Sequence, residues 1–153
     1  MITRSVIHST FVINRTFPTT PQRVFAAFAD KAKKRRWQVE GEGFTIEAFE
    51  MDFRVGGLEH ASFRFQGGPL TTIDATYQDI VPDQRIVVAY SMALGGARMS
   101  SSLTTIELVP VDRGTELVLT EQGAFLDGID SVKGREEGTR ELMEQLAREL
   151  ADD

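Results

Sequence analysis

The sequence has no cysteine, only two histidines and a single tryptophan among its 153 residues. Without cysteine the chain can form no disulfide, thiolate zinc site or cysteine nucleophile. His8 precedes the first predicted strand, and the parity of His60 predicts an outward-facing side chain. No pair or triplet of side chains has metal-ligand spacing on a shared face. We therefore expect neither a metal nor any other cofactor.

Long apolar runs and an excess of basic charge are also missing. No run approaches the roughly 20 apolar residues that cross a membrane, and Met1–Thr10 lacks the apolar block of a secretory signal. The simplest location is the cytoplasm. A formal net charge of −6 argues against a nucleic-acid partner. The short basic run Lys31–Arg36 is interpreted as a solvated helical turn.

What is present is an ordinary globular composition. Hydrophobic residues make up 41% of the chain and charged residues 26%, so disorder is not indicated. A length of 153 residues suits one core and leaves no room for two. We expect residues 1–153 to form a single domain.

Alternation of apolar and polar residues predicts seven strands. The β-branched and aromatic segment 9–17 is the first. Short turns rich in glycine, proline and aspartate separate six later segments, which indicates an antiparallel meander. These segments lie at about 44–49, 61–66, 73–81, 86–94, 97–109 and 115–122.

Residues typical of helices occur in the sequence before and after this meander. Thr20 followed by Pro21 is typical of a helix start, and Asp30 would begin a second short helix ending near Trp37. An apolar stripe predicts a long C-terminal helix with Asp130 or Ser131 as its cap. The stripe comprises Leu142, Met143, Leu146, Ala147 and Leu150, with Arg140/Glu144 and Glu144/Arg148 as i,i+4 pairs on the other side.

These elements predict an α+β fold, in which a curved antiparallel sheet of about seven strands surrounds the C-terminal helix, with two short helices after the first strand. One helix cannot cover all inward positions of such a sheet, so part of the concave face either close-packs or encloses a ligand. The residues predicted to contact a ligand are large apolar groups and one acid: Trp37 near the mouth, Phe53, Phe63, Phe65, Tyr77, Tyr90, Met92 and Glu121.

Two carboxylates have inward parity, Glu59 and Glu121. In an apolar cavity a carboxyl group has a raised pKa, which suits a general acid or base. The plainer interpretation is a strand-end glutamate that reaches solvent. A buried structural ion pair would also explain either residue, with Arg98 or Arg15 as the partner.

An ordered set of motifs resembles the START-like helix-grip (SRPBCC) superfamily. The segments Asp52–Gly57, Tyr77–Ile86 and Gly114–Glu121, with the helix from Gly138, are similar to the branch named after the activator of the heat-shock protein 90 ATPase. The resemblance spans about residues 10–150 and implies the helix-grip fold. Gln38 and Thr139 stand where tryptophan is common in that branch, and both departures would enlarge or re-polarise the pocket.

The resemblance leaves three functions open. The first is a module that binds a hydrophobic or amphipathic small molecule between the sheet and the C-terminal helix. The second is a cofactor-free cyclase, dehydratase or hydrolase acting on a small apolar substrate. The third is a protein-interaction domain of the co-chaperone kind, although a free-standing domain carries no evidence of a chaperone partner. A homodimer also stays open.

Overall fold

The computed structural model describes residues 4–152, which form seven strands and three helices. Met1–Thr3, part of the segment in which no secretory signal is predicted, lie outside the described residues. In chain order the elements are β1 Val6–Phe17, α1 Pro21–Ala29, α2 Lys31–Val39, β2 Phe44–Met51, β3 Leu58–Phe65, β4 Leu70–Val81, β5 Arg85–Leu94, β6 Ala97–Val111, β7 Gly114–Leu126 and α3 Val132–Ala151.

The seven strands form one antiparallel sheet in the order β1-β7-β6-β5-β4-β3-β2. Strands β2 to β7 follow one another as the predicted meander. The first strand instead pairs with the last, from Val6 opposite Leu126 to Phe17 opposite Thr115. The sheet is unclosed, with β1 and β2 at its edges. The α+β helix-grip fold and the strand number are thus confirmed. His8 is part of β1, so the expectation that it precedes the first strand was wrong.

Three register shifts interrupt the sheet, and two of them change which of the side chains discussed here face inward. The β2–β3 register shifts between Ile46 and Ala48, so Phe49 is buried, whereas simple alternation had grouped it opposite Phe44 and Ile46. The β4–β5 register shifts between Tyr77 and Asp79. Beyond that bulge Ile80 packs against the core, where alternation had placed Val81. A bulge inserts one residue and therefore reverses the parity that follows it.

The helix caps follow the sequence signals. The side chain of Thr20 accepts a hydrogen bond from the Arg23 backbone N–H, and Pro21 begins α1. Asp30 accepts in the same way at the start of α2, and Ser131 at the start of α3. Each cap satisfies a backbone donor that has no partner within its helix. Within residues 4–152 no helix is both long enough and apolar enough to span a membrane.

The predicted i,i+4 pairs on α3 are not those that form. Arg140 bonds to Glu136 in the preceding turn at 2.8 Å. Glu144 instead pairs with Arg15 on β1 and so ties the helix to the edge of the sheet. A helix-only interpretation could not anticipate a partner from a distant strand.

The segment Asp52–Gly57 docks the β2–β3 connection onto β4. The backbone N–H of Gly56 donates to the Tyr77 carbonyl at 2.8 Å, and the Tyr77 N–H donates to the Gly57 carbonyl at 3.0 Å. Gly56 has a φ of +83°, which favours glycine. At Gly57 an added Cβ would lie 2.0 Å from the Asp52 carbonyl oxygen, so no side chain fits. The motif thereby holds Phe53 against the Tyr77 ring, with 4.9 Å between centroids.

Apolar side chains form two separate clusters under the sheet. The larger joins α1 and α3 to β1, β6 and β7, and includes the fully buried Leu117 and Leu146. The smaller joins α2 to β2 and β3 around Val39, Phe49 and Phe63. Because the two clusters do not merge, space is left between them at the centre of the concave face.

Candidate functional site

A cavity of about 410 Å3 lies between the concave face of the sheet and helices α2 and α3. Its lining is mostly aromatic and aliphatic and comes from both apolar clusters. All eight residues predicted to contact a ligand line it: Trp37, Phe53, Phe63, Phe65, Tyr77, Tyr90, Met92 and Glu121. Whether they bind a ligand stays a prediction.

The aromatic residues differ in how they line this cavity. Phe65 is 47% exposed and packs edge-on against Phe44, with ring centroids 5.0 Å apart, so this pair forms part of the rim. Trp37 was expected near the mouth, but only 5% of it is exposed. Its indole N–H donates to the Ala27 carbonyl at 2.8 Å, and its ring packs on Phe28. Trp37 therefore belongs to the wall, because the contact between α1 and α2 turns it inward.

Glu59 is buried in the cavity wall. Its Oε1 accepts hydrogen bonds from the Tyr77 hydroxyl and from Lys34 Nζ, the latter at 2.6 Å. The interpretation of Glu59 as a solvent-reaching glutamate is wrong, since only 4% of it is exposed. Neither Arg15 nor Arg98 is its partner. Sequence reasoning had assigned Lys34 to a solvated turn, yet its side chain is only 12% exposed and crosses from α2 to the sheet.

Replacing Lys34 with methionine should lower the free energy of unfolding by about 2–3 kcal/mol, because it leaves Glu59 buried without its cation. The matched control is Lys31→Met on the same helix, where an exposed lysine meets Glu50 at 3.7 Å. That change should stay within about 0.5 kcal/mol. Urea denaturation measures both. Equal effects of the two substitutions would contradict the assignment of a buried pair.

Glu121 is the centre of a second polar group. The Tyr90 hydroxyl lies 2.9 Å from both Glu121 oxygens, and the Thr104 hydroxyl donates to Oε1 at 3.1 Å. Arg135 of α3 donates to the Tyr90 oxygen at 3.0 Å and lies 3.7 Å from Glu121 Oε2. The guanidinium also bonds to Asp130. Glu121 is 3% exposed, so the solvent-reaching interpretation is wrong here too.

Sequence reasoning missed Arg135 because the stripe was traced through its apolar members alone, although the same face of α3 continues back through Thr139 to the buried Arg135. Its guanidinium is 5.3 Å from the centre of the Phe125 ring and donates to Ser100 Oγ at 2.8 Å. The helical period gave one signal for Arg135, and Asp130 gave another as one of two candidate caps. Asp130 pairs with Arg135 instead, and Ser131 caps the helix.

The strand register places the two polar groups on either side of a small residue. Glu59 lies opposite Ala75, and Ala75 lies opposite Tyr90. Beyond Tyr90, Thr104 of β6 lies opposite Glu121 of β7. Neighbouring strands are about 4.8 Å apart, so the backbones at Glu59 and Tyr90 are separated by about 10 Å. Ala75, which also lines the cavity, forms a low apolar floor between them.

Burial and charge shift the pKa values of these groups. Burial, with the nearby charge of Glu59, raises the pKa of Tyr77. Burial and the charge of Glu121 likewise raise the pKa of Tyr90, so both phenols stay protonated and donate. Burial also raises the pKa of Glu121, against the opposing effects of its Tyr90 hydrogen bond and the Arg135 charge.

The raised pKa of Glu121 predicts a pH-dependent effect on stability. A carboxyl group with a raised folded-state pKa favours folding below its ordinary pKa, and that contribution is lost as pH rises through the folded value. The groups facing it are Tyr90 and Arg135, with Asp130 behind Arg135. In Glu121→Gln the side chain carries no charge at any pH. The stability of this variant relative to the parent protein should therefore improve from pH 4.5 to pH 7.5. Urea denaturation across this range tests it, and a relative stability that worsens with pH would contradict it.

The histidines do not extend the site. His60 pairs with Asp74, and its side chain is 39% exposed, on the face opposite the cavity. Within residues 4–152 no group of three or more histidine, aspartate or glutamate side chains could hold a metal ion.

Both positions that depart from the family pattern line the cavity. Thr139 is buried, and its hydroxyl donates to the Arg135 carbonyl at 2.8 Å. The side-chain oxygen of Gln38 is buried and accepts no hydrogen bond from the described part of the chain. A polar atom in this state is uncommon in folded proteins.

Comparison with known proteins places this fold and cavity among relatives. The sequence model of the family described as "Activator of Hsp90 ATPase homolog 1-like protein" matches residues 18–152. No protein with a curated description matches the sequence.

Solved structures agree with the family match. A crystal structure of a protein from Rhizobium loti is 62% identical, with a TM-score of 0.87 and coverage of 95% of this chain and 99% of that one. A protein from Rhizobium leguminosarum is 38% identical, with a TM-score of 0.94 and coverage of 99% of both chains. An AHSA1-like protein from Aeromonas hydrophila shares the fold at 13% identity, with a TM-score of 0.71 and coverage of 94% and 93%. The chain therefore belongs to the family of proteins like the activator of the heat-shock protein 90 ATPase.

Proposed function

We propose that this protein binds a small, largely apolar molecule in the cavity between the sheet and α3. The observation that carries the proposal is the space of about 410 Å3 left between two packed apolar clusters. Known ligand sites are concave, mostly apolar and fixed in orientation by a few polar groups. The two buried carboxylates, Glu59 and Glu121, supply such groups here.

Filling the cavity tests the proposal directly. Ala75→Phe places a large ring on the floor, where the alanine already lines the empty space. Isothermal titration with 2-naphthol should give saturable binding at one site in the parent protein. We expect binding to the variant to be at least about tenfold weaker, while the fold, followed by circular dichroism, is retained.

The matched control is Ala89→Phe. Ala89 alternates with Val88 and Tyr90 on β5, so it faces away from the cavity that those two residues line. This variant should bind 2-naphthol as the parent protein does. Absence of saturable binding in the parent protein, or equal binding by Ala75→Phe, would overturn the proposal.

Catalysis by the same site is a second candidate, because Glu121 is buried beside a protonated phenol and has a raised pKa. Such a carboxyl group can exchange protons with a bound substrate. A hydrolase of small apolar esters is testable with 2-naphthyl acetate. Turnover that Glu121→Gln abolishes, while naphthalene still binds, would support this candidate, and no turnover by the parent protein would remove it.

A co-chaperone role is a third candidate, which only the family membership favours. It would require the ATPase rate of heat-shock protein 90 to rise when this protein is added. A cytoplasmic location, a homodimer and a single domain over residues 1–153 stay predictions from the sequence.

A further inference from the structure

The charges that line the cavity are unequal in number. Two cations, Lys34 and Arg135, accompany three carboxyl groups, Glu59, Glu121 and Asp130. Two positive and three negative charges leave an excess of one negative charge when all are ionised. Both cations are already engaged, Lys34 with Glu59 at 2.6 Å and Arg135 with Asp130 at 3.0 Å. An entering anion would therefore add to the negative excess and meet no unpaired cation among the described lining residues.

The two buried carboxylates of the lining keep unused capacity to accept hydrogen bonds. A carboxylate offers about four lone-pair positions and no donor. Both donors to Glu59 bond to Oε1, and no residue in the range 4–152 donates to its Oε2. Among the described residues only the shared Tyr90 hydroxyl donates to Glu121 Oε2, because Arg135 is 3.7 Å away. The side-chain oxygen of Gln38 also accepts no hydrogen bond from residues 4–152, but its surface is covered by the protein.

These acceptors lie on two sides of an apolar floor. Glu59 and Tyr90, which holds Glu121, flank Ala75 in one row across the sheet. Above this row the space is bounded by Phe63, Val88 and Leu142, which offer no side-chain hydrogen bonds. A molecule that fills the space can therefore meet an acceptor at each of two opposite ends and apolar surface between them.

We propose that the cavity selects an uncharged molecule with an apolar body and hydrogen-bond donors, hydroxyl or N–H groups, at two opposite ends, and that it rejects anions such as fatty acids. This inference deepens the function proposed above and rests on it. Glu59 and Glu121 act as the two acceptors. An ionised carboxylate cannot donate a hydrogen bond, so a ligand carboxylate is repelled where a ligand hydroxyl can make a charge-assisted hydrogen bond.

A series of four probes of one shape tests the inference by isothermal titration at pH 7.5. The probes are naphthalene, 2-naphthol, 2,6-dihydroxynaphthalene and 2-naphthoate. A hydrogen bond to a charged group corresponds to about tenfold in affinity or more. We expect 2-naphthol to bind about tenfold more tightly than naphthalene, and the diol to bind more tightly again. The carboxylate should bind at least about tenfold more weakly than 2-naphthol.

Variants connect this order to the two acceptors. In Glu59→Gln/Glu121→Gln the advantage of the diol over naphthalene should shrink, and the penalty on 2-naphthoate should relax. Naphthalene binding should be unchanged, which shows that the cavity persists. Glu107→Gln, the same substitution at an exposed position on β6, should leave all four affinities unchanged.

The outcomes separate this inference from the proposed function. If none of the four probes binds, the ligand-binding proposal itself fails. If naphthalene binds as well as the diol, or if 2-naphthoate binds as tightly as 2-naphthol, the cavity binds ligands but the inference about donors is overturned. An unchanged order in the double variant would also overturn it, because the selection would then come from other residues.

Discussion

Replacing Arg135 with methionine is expected to lower the free energy of unfolding by about 3–5 kcal/mol, the largest effect of any change at the polar groups. The guanidinium is 7% exposed and is shared by Asp130, Tyr90, Ser100 and Glu121. Removing it leaves the buried Glu121 carboxylate without its nearest cation and Tyr90 without a donor. Urea denaturation monitored by circular dichroism measures the loss.

Two further proteins show whether uncompensated charge is the cause. Arg140→Met removes an exposed arginine from the same helix and should change stability by no more than about 0.5 kcal/mol. Adding Glu121→Gln to Arg135→Met should restore part of the lost stability, because the unpaired carboxylate is then gone. A double variant at least as unstable as the single one would contradict this account.

Replacing Leu146 with alanine should lower the free energy of unfolding by about 2–5 kcal/mol. Leu146 is fully buried in the larger apolar cluster, where its removal creates a new void. Leu142 lies one helical turn earlier, is half-buried and lines the cavity. Its truncation only enlarges existing space, so Leu142→Ala should lose about 1 kcal/mol.

For ligand binding, the order of the two effects should be reversed, with the larger effect from Leu142→Ala. Leu142→Ala should change the affinity for 2-naphthol, since it alters the wall, whereas Leu146→Ala should leave it near that of the parent protein. Denaturation and titration on the same preparations provide the comparison. If Leu142→Ala and Leu146→Ala lost equal amounts of stability, the space beside Leu142 would not be open in solution.

Local patterns predicted most of the fold. Period-two alternation identified all seven strands, and the capping residues Thr20, Asp30 and Ser131 begin the three helices. Alternation failed where bulges at β2 and β4 insert a residue, because their effect on parity depends on the partner strand. Val81 and Phe49 were misplaced for this reason.

The candidate site was predictable on its sheet side only. Inward parity was sufficient to place Glu59 and Glu121 on the concave face. Of their partners, Lys34 lies in a basic run with no apolar face to mark it, and Arg135 is a charged residue on the continuation of the α3 stripe, where only apolar side chains were counted. Which helical side chain crosses to a strand depends on how the layers are stacked, and a single sequence does not encode that in any local period.

The pairing of β1 with β7 has a consequence for biosynthesis. Val6 meets Leu126 only after some 120 intervening residues have been made, and α3 is translated later still. Until then only α1 and α2 can cover the concave side of the meander, and the outer edge of β7 has no strand paired to it. Contacts of such long separation in sequence are slow to form. Completion of this sheet is therefore expected to come late in synthesis, and a chain stalled before residue 126 would leave aggregation-prone strand edges for chaperones to shield.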